Sequence, residues 1–236
     1  MDIKIQNLVK QYGVNTVLNI PELTIGSGQL VGLVGNNGAG KTTLMRLMLD
    51  LIEATEGYVE TDGQRVNESQ AWKAFTGSFI DGRFLIDFYT PEEYFAFIAH
   101  VYGIDKATLN SRLEQYQPLM HDEILGTKKY LRQFSEGNRQ KTGIIGAMMI
   151  NPKVLILDEP FNYLDPSSQI TVAKLIRQMN EQLGTTVIIS SHNLSFVSEI
   201  STRILLLEKG RIIKDLSNQD GSAAKELEEY FNSAEL

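Results

Sequence analysis

The sequence predicts an α/β fold whose core is a mostly parallel β-sheet. Two apolar runs without alternation, residues 154–157 and 187–189, suit strands that are covered on both faces. Between them we predict a helix, with Asp165 as its N-cap, Pro166 in its first turn and Gly184 at its end. A further apolar run at residues 30–34 leads through a glycine-rich loop into another helical pattern.

The glycine-rich loop matches the phosphate-binding P-loop pattern over its full length. Its residues are Gly35, Asn36, Asn37, Gly38, Ala39, Gly40, Lys41 and Thr42. The glycines allow main-chain N–H groups to turn toward phosphate, and the following helix directs its positive end at the same anion. Lys41 supplies a charge for the β- and γ-phosphates, and the Thr42 hydroxyl is placed to bind Mg²⁺. The loop therefore predicts a nucleoside triphosphate site.

Two carboxylates follow the apolar run 154–157 and extend this prediction. We expect Asp158 to hold Mg²⁺, directly or through water, and Glu159 to polarise the attacking water. His192 follows the neighbouring run, and a hydrogen bond from it to the γ-phosphate is the expected role. A lone histidine beside a strand is more often structural, but here the neighbouring strand carries the carboxylates.

The composition excludes several other classes of protein. A net charge of −7 over 236 residues argues against a general nucleic-acid surface and offers no polybasic membrane anchor. The absence of cysteine excludes disulfides and thiolate metal sites. The first residues have no charged-then-apolar signal pattern, and the apolar runs fall short of the roughly 18 residues of a membrane helix. We therefore expect any membrane role to depend on a partner chain.

Residue patterns predict strands and helices in the rest of the chain. Strand-forming segments are predicted at residues 3–9, 17–25 and 57–61, and several helices within residues 83–149. A final hairpin leads to an acidic helix over residues 223–231, which we expect to pack at the edge of the fold. Helical spacing predicts two buried faces: Leu44, Leu47, Met48 and Leu51 after the P-loop, and Val172, Leu175, Ile176, Met179 and Leu183 after Asp165.

A capped helix start before the carboxylate strand indicates the family. Residues 134–138 read Phe-Ser-Glu-Gly-Asn and continue with Arg-Gln-Lys, and Ser135 is a good N-cap. In this order and spacing the segment resembles the signature motif of the ATP-binding cassette (ABC) ATPases. The resemblance covers essentially the whole chain, and it is closest in pattern to bacterial exporter-type ATP-binding proteins.

The resemblance implies one ABC ATPase domain over residues 1–236. Its fold would be a P-loop NTPase (RecA-like) core sheet with an N-terminal antiparallel β-subdomain and an inserted helical subdomain. Residues 1–82 and 150–236 would form the β-subdomain and the core, and residues 83–149 the helical subdomain.

The resemblance also implies site residues, with ATP and Mg²⁺ as cofactors. The matching positions are Tyr12 for the aromatic that stacks on adenine, residues 35–43 (which include Thr43) for Walker A, residues 155–159 for the end of Walker B, residues 162–165 for the D-loop and His192 for the switch histidine. In this family two copies, or two paired ABC subunits, meet head to tail. Ser135 and Gly137 of one subunit would then contact the nucleotide on the other. Lys41, Ser135, Glu159 and His192 are the implied catalytic residues.

Two positions depart from the family's pattern. Asp81 stands where glutamine usually senses Mg²⁺ and the γ-phosphate; a carboxylate can still bind Mg²⁺, but it is shorter and adds charge near the triphosphate. The signature has Glu136 and Asn138 where glycine and glutamine are common. Glu136 would weaken ATP binding if it pointed at the partner's nucleotide and would be neutral if it pointed to solvent. We expect an active ATPase.

Residues 75–102 are rich in aromatic side chains. They hold Phe75, Phe79, Phe84, Phe88, Tyr89, Tyr94, Phe95, Phe97 and Tyr102. Several must fill the core of the helical lobe. In the family this stretch lines the groove in which a membrane subunit docks a short helix, and we expect Phe84, Phe88 and Tyr89 to line it.

The resemblance implies the ATP-hydrolysing subunit of an ABC transporter with a separate permease, on the cytoplasmic inner face of the cell membrane. The alternative is a soluble ABC ATPase that serves a non-membrane machine such as iron–sulfur cluster assembly. A DNA-repair or chromosome ATPase is disfavoured, because the chain has neither a long coiled-coil insertion nor a basic face, and we expect no nucleic-acid partner. Cargo recognition would lie in the permease, so substrate and direction of transport stay open.

Overall fold

Two β-sheets organise the computed structural model, which describes residues 1–219 and 221–234. The strands of the larger sheet are β3 (Leu30–Val34), β6 (Thr76–Phe79), β7 (Val154–Leu157), β8 (Thr186–Ser191), β9 (Arg203–Glu208) and β10 (Arg211–Ser217). They lie in the order β10-β9-β3-β8-β7-β6, and every neighbouring pair is parallel except β9 and β10. The predicted α/β fold with a mostly parallel sheet is therefore confirmed.

The central strands are buried on both faces, as their unbroken apolar runs predict. All residues of β7 and β8 are buried. Successive side chains enter different cores because they alternate between the faces of a sheet. Leu155 and Leu157 belong to the cluster shared with the helical region, whereas Val154 and Ile156 belong to the cluster shared with the smaller sheet.

The smaller sheet is antiparallel, and all of its strands lie within the first 65 residues. Its strands are β1 (Ile3–Tyr12), β2 (Asn15–Ile25), β4 (Glu56–Thr61) and β5 (Gln64–Arg65), in the order β2-β1-β4-β5. Asp62 and Gly63 form the turn between β4 and β5 with positive φ angles of 54° and 75°, a conformation that suits a two-residue hairpin. The antiparallel β-subdomain is thus present.

Residues 83–149 are helical and contain no strand in the described structure. The helices are α2 (Pro91–Val101), α3 (Lys106–Glu114), α4 (Gln117–Met120) and α5 (Glu136–Met148). α5 packs on β6, where Gly143 lies against the Phe79 ring. The division of the chain at residues 82 and 150 stays a prediction, because the hydrophobic core runs continuously from these helices to the sheet.

The other helices are α1 (Lys41–Met48), α6 (Pro166–Leu183), α7 (Leu194–Ile200) and α8 (Ala223–Ala234). The termini of α6 are as predicted: the Asp165 carboxylate accepts a hydrogen bond from the Ser168 N–H at 3.0 Å, and Gly184 ends the helix at φ +65°. α8 packs at the edge, as expected, through buried Ala223 and Leu227. None of the helices among the described residues has both the length and the apolar character needed to cross a bilayer.

Two residues predicted to be buried are exposed. Leu51 is 49% exposed because α1 ends at Met48 and the chain turns at Asp50, whose φ is +51°. Leu183 is 53% exposed because it is the last residue of α6, beyond the part of the helix that packs on the core. The other predicted members of the two faces are buried or half-buried.

Candidate nucleotide-binding and active site

The carboxyl ends of β3, β7 and β8 meet at one edge of the larger sheet. β8 lies between the other two strands, with Val34 opposite Ser191 and Leu157 opposite Ile189. The P-loop, the two carboxylates and His192 each begin one residue after one of these strand ends. Parallel pairing therefore brings together three predicted motifs that are spread over residues 35–192 of the chain.

The P-loop encloses a cavity of about 260 Å³ at this edge. The cavity is lined by Val17, Asn36, Asn37, Gly38, Ala39, Gly40, Lys41, Thr42, Thr43 and Glu159. Gly40 precedes α1 at φ +110°, a conformation that L side chains rarely adopt, and a Cβ there would lie 3.1 Å from the Val17 carbonyl oxygen. Val17 was not predicted as a site residue, because an apolar residue in a strand carries no chemical signal.

Lys41 lies between the P-loop and Glu159. Its side chain is 6% exposed, and its ammonium donates to the Gly35 carbonyl at 2.6 Å and the Asn36 carbonyl at 3.4 Å. The same ammonium is 3.4 Å from Glu159 Oε1. A P-loop lysine can neutralise phosphate charge, and this role of Lys41 stays a prediction.

Asp158 forms a buried cluster with two hydroxyl groups. Thr42 Oγ1 donates to Asp158 Oδ2 at 2.5 Å, and Ser190 Oγ donates to the other carboxylate oxygen. Burial raises the pKa of Asp158, and these two hydrogen bonds partly oppose the effect. Ser190 was missed by the sequence analysis; its position near the end of the strand beside the carboxylates is the signal that would have identified it.

Thr42 and Asp158 offer oxygen atoms that fit Mg²⁺, and their role as its ligands stays a prediction. Hydroxyl and carboxylate oxygens are ligands that Mg²⁺ prefers, and a cation would offset the cost of burying the Asp158 charge. The described residues contain no cluster of three or more His, Cys, Asp or Glu side chains that could hold a metal ion alone. Mg²⁺ commonly binds through one or two protein oxygens together with substrate phosphates, so the small ligand set fits.

Glu159 is held in a strained backbone conformation by its neighbours. Its φ is +47°, its N–H donates to Ser190 Oγ at 2.8 Å, and its carbonyl accepts from Gln140 Nε2 at 3.0 Å. Its Oε2 is 2.9 Å from His192 Nδ1. Strained residues of this kind cluster at active sites. His192 therefore orients the candidate base in this structure, and its contact with the γ-phosphate stays a prediction.

Asp81 follows β6 and lines a second cavity, of about 470 Å³, between the sheet edge and the helical region. Asp158, Glu159 and Glu136 line the same cavity. The Asp81 carboxylate accepts hydrogen bonds from the Arg83 guanidinium at 2.6 and 2.9 Å, and this contact lowers the pKa of Asp81. Its predicted role as a Mg²⁺ ligand is untested, and here it is paired with Arg83.

Tyr12, Ser135 and Gly137 are among the predicted residues that do not line the P-loop cavity. Tyr12 is 54% exposed at the end of β1, with the Lys10 ammonium 4.8 Å from its ring centroid. Ser135 is exposed at the start of α5, and its hydroxyl accepts from the Asn138 N–H at 3.2 Å. A Cβ on Gly137 would lie 2.7 Å from the Tyr163 carbonyl, so the D-loop packs directly on this helix start.

The fold and this edge define a P-loop nucleoside triphosphatase. The sequence model of the family described as ABC transporter matches residues 18–162. That match spans more than half of the chain, so the protein belongs to the ABC transporter ATP-binding family and is an ABC ATPase.

Individual relatives agree with this assignment. The chain is 34% identical to the lantibiotic transport ATP-binding protein SrtF of Streptococcus pyogenes, over 98% of this chain and 96% of the relative. It is 34% identical to the bacitracin transport ATP-binding protein BcrA of Enterococcus faecalis, over 91% and 69%. The dimeric structure of MJ0796, a bacterial ABC transporter cassette, has the same fold, with a TM-score of 0.81, 24% identity and coverage of 92% and 98%.

Proposed function

We propose that this chain is the ATP-hydrolysing subunit of a transporter whose membrane permease is a separate chain. Two subunits, either two copies or this chain with a second ABC subunit, close head to tail over ATP. The permease holds the pair at the cytoplasmic face of the membrane. The names of SrtF and BcrA, which refer to transport, support the process. The dimeric fold relative supports the pairing.

The position of Ser135 carries the proposal. Among the described residues Ser135 does not line the P-loop cavity of its own chain, although it is exposed at the positive end of a 13-residue helix. A helix N-terminus is a favourable site for phosphate. Closing a second subunit over the first would bring this helix start to the γ-phosphate, where it binds well only while that phosphate is present. ATP then joins the subunits, and hydrolysis releases them.

The residues of the sheet edge divide the hydrolysis step among them. Lys41 neutralises phosphate charge, and Thr42 with Asp158 would hold Mg²⁺, which would neutralise the charge that develops on the phosphates. Glu159 accepts the proton of the attacking water, and His192 holds the Glu159 carboxylate in one orientation through the 2.9 Å contact.

The loop after β6 supports a permease contact. Phe84 is 61% exposed and Phe88 is 66% exposed, and the Arg132 guanidinium lies 4.6 Å from the Phe88 ring centroid. Tyr89 is half-buried and packs edge-on against Phe97 at 6.0 Å, so it supports the surface. Exposed aromatic and arginine side chains are typical anchors of protein interfaces. An apolar helix that carries an acidic residue is the partner this surface suits.

Subunit pairing is tested with Glu159→Gln protein, which we expect to retain bound ATP. We expect MgATP to convert the monomer to a dimer in size-exclusion chromatography with light scattering. Adding Ser135→Glu should prevent dimer formation, because a carboxylate at the helix start repels the γ-phosphate. Ser217→Glu, at an exposed serine on β10, is the matched control. A protein that stays monomeric under these conditions contradicts the proposal.

Permease docking is tested with Phe84→Ala/Phe88→Ala protein in cells. We expect it to keep its basal ATPase activity and to lose recruitment to membranes. Ile170→Ala, at a residue that is 65% exposed on α6, is the control for removal of exposed apolar surface. Membrane recruitment that survives the double substitution would show that these side chains do not form the docking surface.

A further inference from the structure

Arg139 joins the start of α5 to two other segments of the chain. It lies four residues after Ser135, and its side chain is only 12% exposed. Its Nη1 donates to Asp87 Oδ1 at 2.8 Å and to the Leu131 carbonyl at 3.0 Å, and its Nη2 donates to the Gly82 carbonyl at 2.8 Å. One guanidinium therefore links α5 to two other segments, one that holds Gly82 and Asp87 and one that holds Leu131.

These two segments form the exposed aromatic surface. We call residues 82–89, which include Phe84 and Phe88, the docking loop. The Leu131 N–H donates to the Tyr89 carbonyl at 2.8 Å, and the Arg132 N–H donates to the Asp87 carbonyl at 3.1 Å. The segment that leads directly into Ser135 is thus hydrogen-bonded to the docking loop, and the same segment supplies Arg132 to the Phe88 ring.

The chemistry of arginine suits this junction. A guanidinium is planar and presents several N–H donors in fixed directions, so it can hold a carboxylate and two carbonyls at once. A lysine has a single ammonium on a flexible stem and cannot reproduce that geometry. Because Arg139 is largely buried, its removal would leave polar acceptors without partners.

We propose that Arg139 is a positioning residue that makes the docking loop and the start of α5 move as one body. Movement of a permease helix bound at Phe84 and Phe88 then changes the orientation of Ser135. In the other direction, closure of two subunits over ATP changes the environment of the docking loop. This inference rests on the proposed function, since it requires the Ser135 helix start to bind the partner's nucleotide.

The absence of cysteine allows a direct test with a single spin label. Phe84→Cys is labelled in the full chain carrying Glu159→Gln, and the mobility of the label is recorded by electron paramagnetic resonance with and without MgATP. We expect ATP to change the spectrum. Arg139→Gln should abolish this change while the Kd for ATP stays within about twofold, because the P-loop is untouched.

Each outcome has a separate meaning. A spectral change that persists in Arg139→Gln overturns the inference, as does a parent protein that dimerises with ATP but gives no spectral change. A parent that stays monomeric contradicts the pairing of subunits, and the inference with it. Light scattering on the same samples distinguishes the two failures.

Kinetics separate positioning from a general loss of structure. In the chain with native Glu159, Arg139→Gln should lower the ATPase kcat roughly tenfold and leave KM within about twofold. Arg139→Lys should recover part of kcat, and Asp87→Asn combined with Arg139→Gln should be less than additive. A loss explained entirely by a smaller fraction of ATP-binding protein, with normal kcat per bound site, would contradict positioning.

Arg177 supplies a matched control. Its guanidinium also donates to a backbone carbonyl, that of Glu199, at 2.8 Å, but it lies on the exposed side of α6. Arg177→Gln should leave kcat, KM and the label's response to ATP unchanged. A control that behaves like Arg139→Gln would mean that the loss of any such arginine contact is sufficient, which overturns the specific assignment.

Discussion

Several polar side chains at the carboxyl edge of the larger sheet are buried or half-buried, whereas those at the start of α5, which we call the helical tip, are exposed. At the sheet edge, Lys41, Asp158 and Glu159 are buried or half-buried and bonded to one another or to their neighbours. At the helical tip, Ser135 and Glu136 are exposed. The first region is therefore organised within one chain, whereas the second leaves its polar groups open to solvent, as the proposed pairing of subunits requires.

Burial explains the difference. Polar groups removed from water must find hydrogen-bond partners, and the sheet edge supplies them through hydroxyls such as Thr42 and Ser190. At the helical tip the Ser135 hydroxyl satisfies one N–H of its own helix, and water can satisfy the others. The predictions for the sheet edge therefore concern ATP turnover and ATP affinity, and those for the helical region concern the free energy of unfolding.

The largest effect is expected for Glu159→Gln at the sheet edge. Glutamine keeps the shape of the side chain but cannot accept the proton of the attacking water, so turnover should fall by about 10²–10⁴-fold while ATP still binds. Steady-state phosphate release and equilibrium binding of labelled ATP measure the two quantities. Glu181→Gln, on the exposed face of α6, is the control. Normal turnover in Glu159→Gln would remove Glu159 as the base.

Lys41→Ala should weaken ATP binding by about 10- to 100-fold, since charge-assisted hydrogen bonds contribute about 1.5–3 kcal/mol. Isothermal titration with MgATP and MgADP measures the loss, which should be greater for the triphosphate. Lys174→Ala, at an exposed lysine on α6, should bind normally. Unchanged affinity in Lys41→Ala would contradict the P-loop assignment.

Gly143→Ala tests the junction between the helical region and the sheet. A Cβ at this position would overlap the ring of Phe79, which is buried at 5% exposure. Overpacking of this kind costs about 1–3 kcal/mol, and urea unfolding measures it. Gly26→Ala, where the nearest atom is 3.6 Å away in the flexible Gln29 side chain, should change the free energy of unfolding much less.

The smallest effect concerns alkaline pH in the helical region. Burial raises the pKa of Tyr94 from 10 to about 12. Because the folded-state pKa is the higher one, the unfolded state loses its proton first, and stability falls as the pH rises from 10 toward 12. Tyr94→Phe should remove this part of the pH dependence of the urea midpoint. A mutant and a native chain with parallel curves would contradict the burial effect.

Local sequence signals correctly predicted residues at helix ends, where the backbone conformation restricts the residue type. Asp165 and Gly184 bound α6, and Gly40 precedes α1, because N-cap, left-handed and P-loop positions accept few residue types. The same signals failed where the end of a helix decides burial, at Leu51 and Leu183. Periodicity marks a face of a helix, but it does not tell where the packed part of that face stops.

The sequence by itself determined the α/β class, the phosphate loop and the order of the motifs, because each depends on neighbouring residues along the chain. Only the tertiary structure decided that His192 contacts the Glu159 carboxylate and that Ser190 donates a hydrogen bond to Asp158. The same holds for the hydrogen bonds that Arg139 donates to Gly82 and Asp87. These contacts link residues that are 32 to 57 positions apart, and they arise from strand order and helix packing, which no local pattern encodes.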